Sequence, residues 1–225
     1  LVIAISQSGE TADTLAAVEA ATDEDFVALR GFEYTQGAEG HINVWNSTRH
    51  ATRTNVAGCT MCDYTPNLEA GVTVQGFYAW LVSDVNTELD SAGMVMQFNH
   101  PGWINFNDWK YHPEVSDIAR LEEVGNGSGT SYVFSEEEYI RSLDYGWKLG
   151  ATNNADTHST YWGVNTDHRT GVLMPSLTKA NLLEALRLRR TFASEDKNFS
   201  LSMKANGAWM GSEISNSGQI AFEIQ

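Results

Sequence analysis

Asn153-Asn154-Ala155-Asp156-Thr157-His158 is the stretch on which the reading of this chain turns. It follows Leu149-Gly150-Ala151-Thr152, a short apolar run that reads as a buried strand. An Asp and a His two residues apart at a strand's C-terminal end point to the same side and can reach one ion, or two neighbouring ions. Three earlier segments repeat the pattern of a strand running into ligand-type residues. They are Gly31-Phe32-Glu33 with Gly40-His41-Ile42-Asn43, then Phe98-Asn99-His100-Pro101-Gly102, then Glu122-Glu123-Val124-Gly125-Asn126-Gly127. A lone Asp-x-His is weak evidence, but four such clusters in one chain point to a shared metal site.

Working outward, Phe26-Val27-Ala28-Leu29 reads as a buried strand and His41 to Trp45 as a second. The polar, irregular stretch from Asn46 to Asn67 reads as loop. Phe77, Trp80, Leu81 and Val85 fall near i, i+3, i+4 and i+8, which predicts an amphipathic helix over roughly 74–89. Met94 to Phe98 is the next strand, stopped by Pro101 and Gly102 with His100 exposed at its end. Ile118, Leu121 and Val124 predict a short helix leading into Glu122-Glu123 at a strand end. Ser135 and Glu138 form a capping box for a helix running to about Lys148. Gly171 to Met174 is a further strand. Thr178 caps a helix carrying Leu182, Leu183 and Leu186, whose end is rich in arginine (Arg187, Arg189, Arg190), as suits a helix C-terminus. From about Asp196 the pattern turns to alternating β, the expected start of a separate β module. Alternating strands and helices from Phe26 to Arg190, with ligand types at strand ends, predict an α/β, barrel-like enzyme.

The 225 residues suffice for one sizeable domain, and 42% apolar with 19% charged residues is ordinary for a globular chain. A formal net charge of -15 disfavours nucleic acid and anionic membranes as partners. It also opposes a phosphate-bearing substrate unless bound metal offsets the field. No run approaches the roughly 20 apolar residues of a membrane span, and nothing resembles a signal peptide, so the compartment is not legible. The sequence opens inside one apolar run and stops inside another, as expected of a fragment. Cys59 and Cys62 form a lone Cys-x-x-Cys, open to reading as a redox pair, a short disulfide or two loop thiols without a role.

Histidine with carboxylate suits Zn, Mn or Fe more than Mg or Ca. Glu33 can bridge two ions, His41 and His100 can complete one of them, and Asp156 and His158 can serve one or two neighbours. Such clusters lower the pKa of bound water and clamp phosphoryl oxygens, which fits phosphate-ester hydrolysis. Taken singly, a His near Asn or Gly is more often a hydrogen-bonding loop residue, and Asn153 and Asn154 suit a turn. His50, His112 and His168 lack a strand-end setting and read as surface or loop residues.

These signatures, spread over about 25–211, resemble the PHP (polymerase and histidinol phosphatase) superfamily of metallophosphoesterases. The resemblance is nearest to a bacterial branch often compared with carbaryl hydrolase. It implies a distorted (β/α)7 barrel with two or three divalent transition metals at the strand C-terminal ends. It further implies that Glu33 bridges metals, His41 and His100 bind one of them, Asp156 another and His158 a third, with Glu123 at the site edge. The family's opening His-x-His strand has no counterpart before Glu33, so an incomplete barrel, with activity impaired by missing ligands, is expected. The implied substrate is a small phosphoester; the oligomeric state stays open.

Leu1 to Ala17 resembles part of the sugar-isomerase (SIS) domain of glutamine–fructose-6-phosphate aminotransferase, which implies that Ser6, Gln7, Ser8 and Thr11 contact a sugar phosphate. Read from the residues alone, the same turn is a phosphate cradle or a plain helix cap at Ser8. The expected organisation is a SIS-like, foreign stub over 1–21, a PHP-like metallohydrolase domain over 22–195 and a β-rich segment over 196–225. Two other readings stand beside it: a non-catalytic metal-binding or interaction remnant, and a sugar-phosphate-binding piece of an aminotransferase.

Overall fold

Side chains of a strand alternate between faces, so an alternating sequence builds a two-sided sheet. The computed structural model describes residues 25–36, 39–52, 62–64, 74–88, 93–158 and 163–225. Ser6, Gln7, Ser8, Thr11 and Cys59 therefore lie outside the described residues, as does the whole of 1–21.

Strands β1 (Gly31–Gln36) and β2 (Gly40–Trp45) form an antiparallel hairpin, with Glu33 opposite Asn43 and Thr35 opposite His41. Gly40 adopts φ +102°, and a Cβ there would stand 2.6 Å from the Phe106 ring. Only glycine enters β2 this way. Before the hairpin, Val27, Ala28 and Leu29 are buried but belong to no strand, so that apolar run signalled burial rather than a ladder. Within the stretch read as loop lie two short parallel strands, β3 (His50–Thr52) and β4 (Cys62–Tyr64). Three residues are too few for a period to register.

Helix α1 (Val74–Leu81) buries Val74, Phe77, Tyr78, Trp80 and Leu81. It ends short of the predicted 89. Asn86 Nδ2 donates to the Leu81 carbonyl at 3.2 Å and Ser83 Oγ to the Trp80 carbonyl at 2.7 Å, closing off the last turn. Strand β5 (Val95–Asn99) pairs antiparallel with β2 and parallel with β6 (Ala119–Asn126). The eight-residue β6 replaces the helix expected through Leu121 and Val124, because a strand buried on both faces shows no alternation. Glu122 and Glu123 consequently stand in mid-strand, not at its end.

Strand β7 (Val133–Phe134) pairs antiparallel with β6, and helix α2 (Glu136–Asp144) leads into β8 (Gly150–Asn154), parallel to β6. The helix starts where the capping box predicts and stops before Lys148. Ser135 makes no side-chain cap bond, because its φ of -123° and ψ of 42° depart from the extended geometry a cap uses. Strand β9 (Arg169–Val172), two residues earlier than predicted, pairs antiparallel with β10 (Thr191–Ser194) across helix α3 (Lys179–Arg187). Thr178 caps α3 as expected, its Oγ1 accepting from the Asn181 N–H at 3.2 Å. Strands β11 (Met203–Ala205), β12 (Ala208–Trp209) and β13 (Phe222–Ile224) make a separate three-stranded sheet.

The main sheet runs β1-β2-β5-β6-β7, with β8 on β6. It is a mixed α/β arrangement, not a wholly parallel one, and among the described residues no ladder joins β8 back to β1. One face presents Phe32, Tyr34, Ile42, Val44, Met96 and Phe98 to α1 and to Phe106, Trp109 and Trp147. The other face divides in two. At one end Trp45, Val95 and Leu121 pack on Leu182, Leu183 and Leu186 of α3. At the other end the same alternation delivers Glu33, His41, Gln97, Asn99, Glu123, Thr152 and Asn154.

Candidate metal centre

Antiparallel register places His41 diagonally beside Glu33 on one face, and pairs His41 with Asn99 across β2 and β5. His100 follows Asn99 directly. Its backbone turns to φ +26°, sparsely populated for a non-glycine residue, and this brings the ring back to the same face. His41 Nδ1 lies 3.2 Å from Glu33 Oε1 and His100 Nε2 lies 3.7 Å from it. The two imidazole rings meet edge to face at 4.6 Å. One ligand atom from each of the three residues falls within 4.8 Å of the others.

Glu33 is nearly enclosed, its side chain 9% exposed against 30% for His41 and 27% for His100. Burial opposes its charge, but hydrogen bonds with His100, His41 and Asn99 outweigh that and hold the carboxyl well below the usual range. The bond to Glu33 raises His100 above its ordinary value against the pull of burial, helped by the charges of Glu123 and Asp156. The result is a carboxylate fixed between two imidazoles, each still partly open to solvent.

Behind the three residues runs a hydrogen-bonded chain. Asn99 Nδ2 donates to Glu33 Oε1 at 3.1 Å, and Gln97 Nε2 donates to Asn99 Oδ1 at 2.9 Å. Thr152 Oγ1 donates to Gln97 Oε1 at 3.0 Å. These partners set which way each amide points and so orient the carboxylate. Gln97, Asn99 and Thr152 carry no assigned role in the sequence reading. The signal for Gln97 and Asn99 is polarity at alternate positions of a strand that is otherwise apolar and buried; Thr152 stands in a polar run and has no such signal.

Asp156 and His158 are placed differently. His158 Nε2 pairs with Asp156 Oδ1 at 3.0 Å, with His158 65% exposed, and neither joins the group of Glu33, His41 and His100. Asp156 is near enough to influence His100 and adopts φ +47°. Glu123 is buried at 3% exposure and lies behind the site, not at its rim.

Of the remaining histidines, His112 and His168 lie in loops as expected, and His50 corrects the sequence reading. His50 is buried in β3 against Phe32, with ring centroids 6.0 Å apart. His112 is buried against Tyr78 and makes bonds of 3.1 Å to Asn107 and 2.9 Å to Glu114. His168 is half-buried beside Tyr132. Two arginines near the end of α3 hold backbone: Arg187 Nη1 donates to Met94 O at 2.8 Å and Arg189 Nη2 to Gly211 O at 2.7 Å.

The donor set fits a divalent transition metal. Two borderline imidazole nitrogens with one hard carboxylate oxygen suit such ions, and three protein ligands are the usual complement of a catalytic zinc site. Bonds of about 2.0–2.1 Å at tetrahedral angles set donors roughly 3.4 Å apart. The 3.2 and 3.7 Å separations bracket that spacing.

No family model matches the chain, and no curated protein does. Among solved structures, similarity extends to a two-domain protein from Bacteroides vulgatus ATCC 8482 containing a predicted PHP-like metal-dependent phosphoesterase. The identity is 21%, the match covers 76% of this chain and 45% of that one, and the TM-score is 0.45. The chain thus spans less than half the length of that protein.

Proposed function

We propose that this chain is a metal-dependent hydrolase of small phosphoesters, built on an incomplete, distorted PHP-type barrel over 22–195 with a β-rich segment over 196–225. The observation that carries the reading is the convergence of Glu33, His41 and His100, from β1, β2 and the end of β5, on one point. A bound divalent ion would supply a water of lowered pKa and a Lewis acid for a phosphoryl oxygen. His41 and His100 would hold the ion through Nδ1 and Nε2, and Glu33 through Oε1 with Asn99 fixing its direction. Asp156 and His158 would serve a neighbouring ion, and the Asp156–His158 pair would have to open to do so.

That pairing also favours a second reading, a metal-binding remnant without turnover, since it leaves the described residues with one group of three ligands. Elemental analysis of protein purified without chelator separates the readings from a metal-free chain. About one tightly held ion is expected, lost in the His41→Ala/His100→Ala double variant. Turnover of p-nitrophenyl phosphate with added Mn, Fe or Zn then distinguishes enzyme from remnant. A metal content unchanged in the double variant would overturn both.

A further inference from the structure

Resting on that metal reading, we infer that Glu123 is the positioning residue of the centre: a buried carboxyl group that touches no ion but holds the backbone of His100 and the strand end before Asp156. Both of its oxygens are committed. Oε2 accepts from the His100 backbone N–H at 2.6 Å and from Asn126 Nδ2 at 2.9 Å. Oε1 accepts from Asn154 Nδ2 at 2.7 Å and from Gln97 Nε2 at 3.4 Å. A carboxylate has about four acceptor sites, so this one has none left for a metal or a substrate proton.

The donors come from three strands, β5, β6 and β8. Gln97 and His100 belong to β5 and its continuation, Asn126 to β6, and Asn154 to β8. Two of the segments so held contain non-glycine residues at positive φ: His100 itself at +26°, and Asp156 at +47°, two residues beyond Asn154. Such conformations persist only where the surroundings over-determine them. The bond from the His100 N–H fixes the turn that returns its ring toward Glu33. Gln97 donates to Glu123 and to Asn99, and Asn99 donates to Glu33, so the anchor and the ligand carboxylate belong to one chain of amide bonds. All four donors are N–H groups, which a glutamine could not satisfy together: its own amide would face at least one of them.

The test compares wild type with Glu123→Gln and Asn154→Ala, using Co2+ as the probe. Titration should show Co2+ bound at least tenfold more weakly by Glu123→Gln, with an altered d–d spectrum reporting a changed ligand arrangement. In the metal-free proteins, the His100 amide proton should lie far downfield in the NMR spectrum of wild type and move upfield in Glu123→Gln. Asn154→Ala keeps the carboxylate charged and should shift the Asp156 resonances more than those of His100. It decides the matter by itself should Glu123→Gln fail to fold. Equal Co2+ affinity and spectrum in wild type and Glu123→Gln would overturn the inference. So would unmoved His100 and Asp156 resonances in both variants. If wild type binds no Co2+, the metal reading fails, and the amide shifts still judge the anchor.

Discussion

Glu122 and Glu123 are neighbours in β6, and the pleat sends them to opposite faces and opposite electrostatic fates. Glu122 is fully buried beneath α2, where Ser142 Oγ lies 2.6 Å from its Oε2 and its Oε1 has no hydrogen-bond partner among the described residues. Ser142 Oγ is also 2.8 Å from the Tyr139 carbonyl. One hydroxyl proton cannot serve both oxygens, so a neutral Glu122 donating to Ser142, with Ser142 donating to Tyr139, satisfies the geometry. Burial pushes Glu122 up to about 8, with the charge of Glu138 adding to it and the Ser142 bond opposing. The folded pKa thus lies above the unfolded value of about 4.5, and the folded state binds the extra proton. The stability from that proton is complete below the unfolded value, declines as pH rises and is gone above about 8. Glu122→Gln should flatten the pH dependence of stability between those limits and make the protein more stable than wild type at pH 9, measured by urea unfolding. A wild-type profile that rises from pH 5 to 8 and keeps its slope in the variant would contradict this. Glu123 shows the other outcome of burial. Desolvation outweighs the bonds from Asn154, His100 and Asn126 and leaves it raised to about 7, yet all four of its partners are N–H donors and no acceptor waits for a carboxyl proton. The donor geometry favours the ionised form.

At the scale of elements, α2 and α3 form a natural pair for comparison, because both start with a hydroxyl residue followed by polar residues. Thr178 is extended, at φ -135° and ψ 155°, and its oxygen reaches the Asn181 N–H; Ser135 does neither. Thr178→Ala should therefore cost about 1 kcal/mol, while any cost of Ser135→Ala should leave the helix N-terminus unfrayed, as hydrogen exchange of the first-turn amides would show. Equal fraying in the two variants would refute the distinction. Much of the fold was legible where one rule dominated. Met94 to Phe98, stopped by Pro101 and Gly102, and Leu149 to Thr152 are short and mostly apolar, and α3 has both a cap and a clean apolar stripe. The sequence reading failed where tertiary contacts overrode the local pattern. Burial on both faces hid β6 behind a helix-like spacing. Asn86 and Ser83 ended α1 while its period ran on to Val85, which is 59% exposed. Phe106 to Trp109 take four successive positive φ values, from 54° to 61°, a left-handed turn costing roughly 1–2 kcal/mol per residue. Nothing local announces it. Burial of Phe106 and Trp109 against Phe98 holds it in place. Glu33, His41 and His100 were legible as candidate residue types, though Glu33 stands in mid-strand, His41 at the start of β2 and only His100 beyond a strand's C-terminal end. The amides behind them were not, because a buried Gln or Asn becomes meaningful only once its register is known.

Across the whole molecule, a formal charge of -15 sets the background against which the centre must be judged. Like charges spread over one surface repel, and folding concentrates them, so the metal-free protein should be stabilised by any salt that shortens the screening length from about 30 Å at 0.01 M to about 8 Å at 0.15 M. A cation held at Glu33, His41 and His100 acts through a different law. It binds the native state and stabilises it by RT ln(1 + [L]/Kd), about 2.7 kcal/mol at a hundred times Kd, with no need for a high bulk concentration. The two effects separate by mutation. NaCl should raise the melting temperature of wild type and of the His41→Ala/His100→Ala variant alike, because neither histidine contributes to the formal charge. Micromolar Zn or Mn, added at constant NaCl, should raise it in wild type only. If the double variant gained as much from the divalent ion as wild type does, the cation would be acting on the diffuse acidic surface. The convergence of two strands and a strand end on Glu33 would then be an arrangement of hydrogen bonds without a metal to hold.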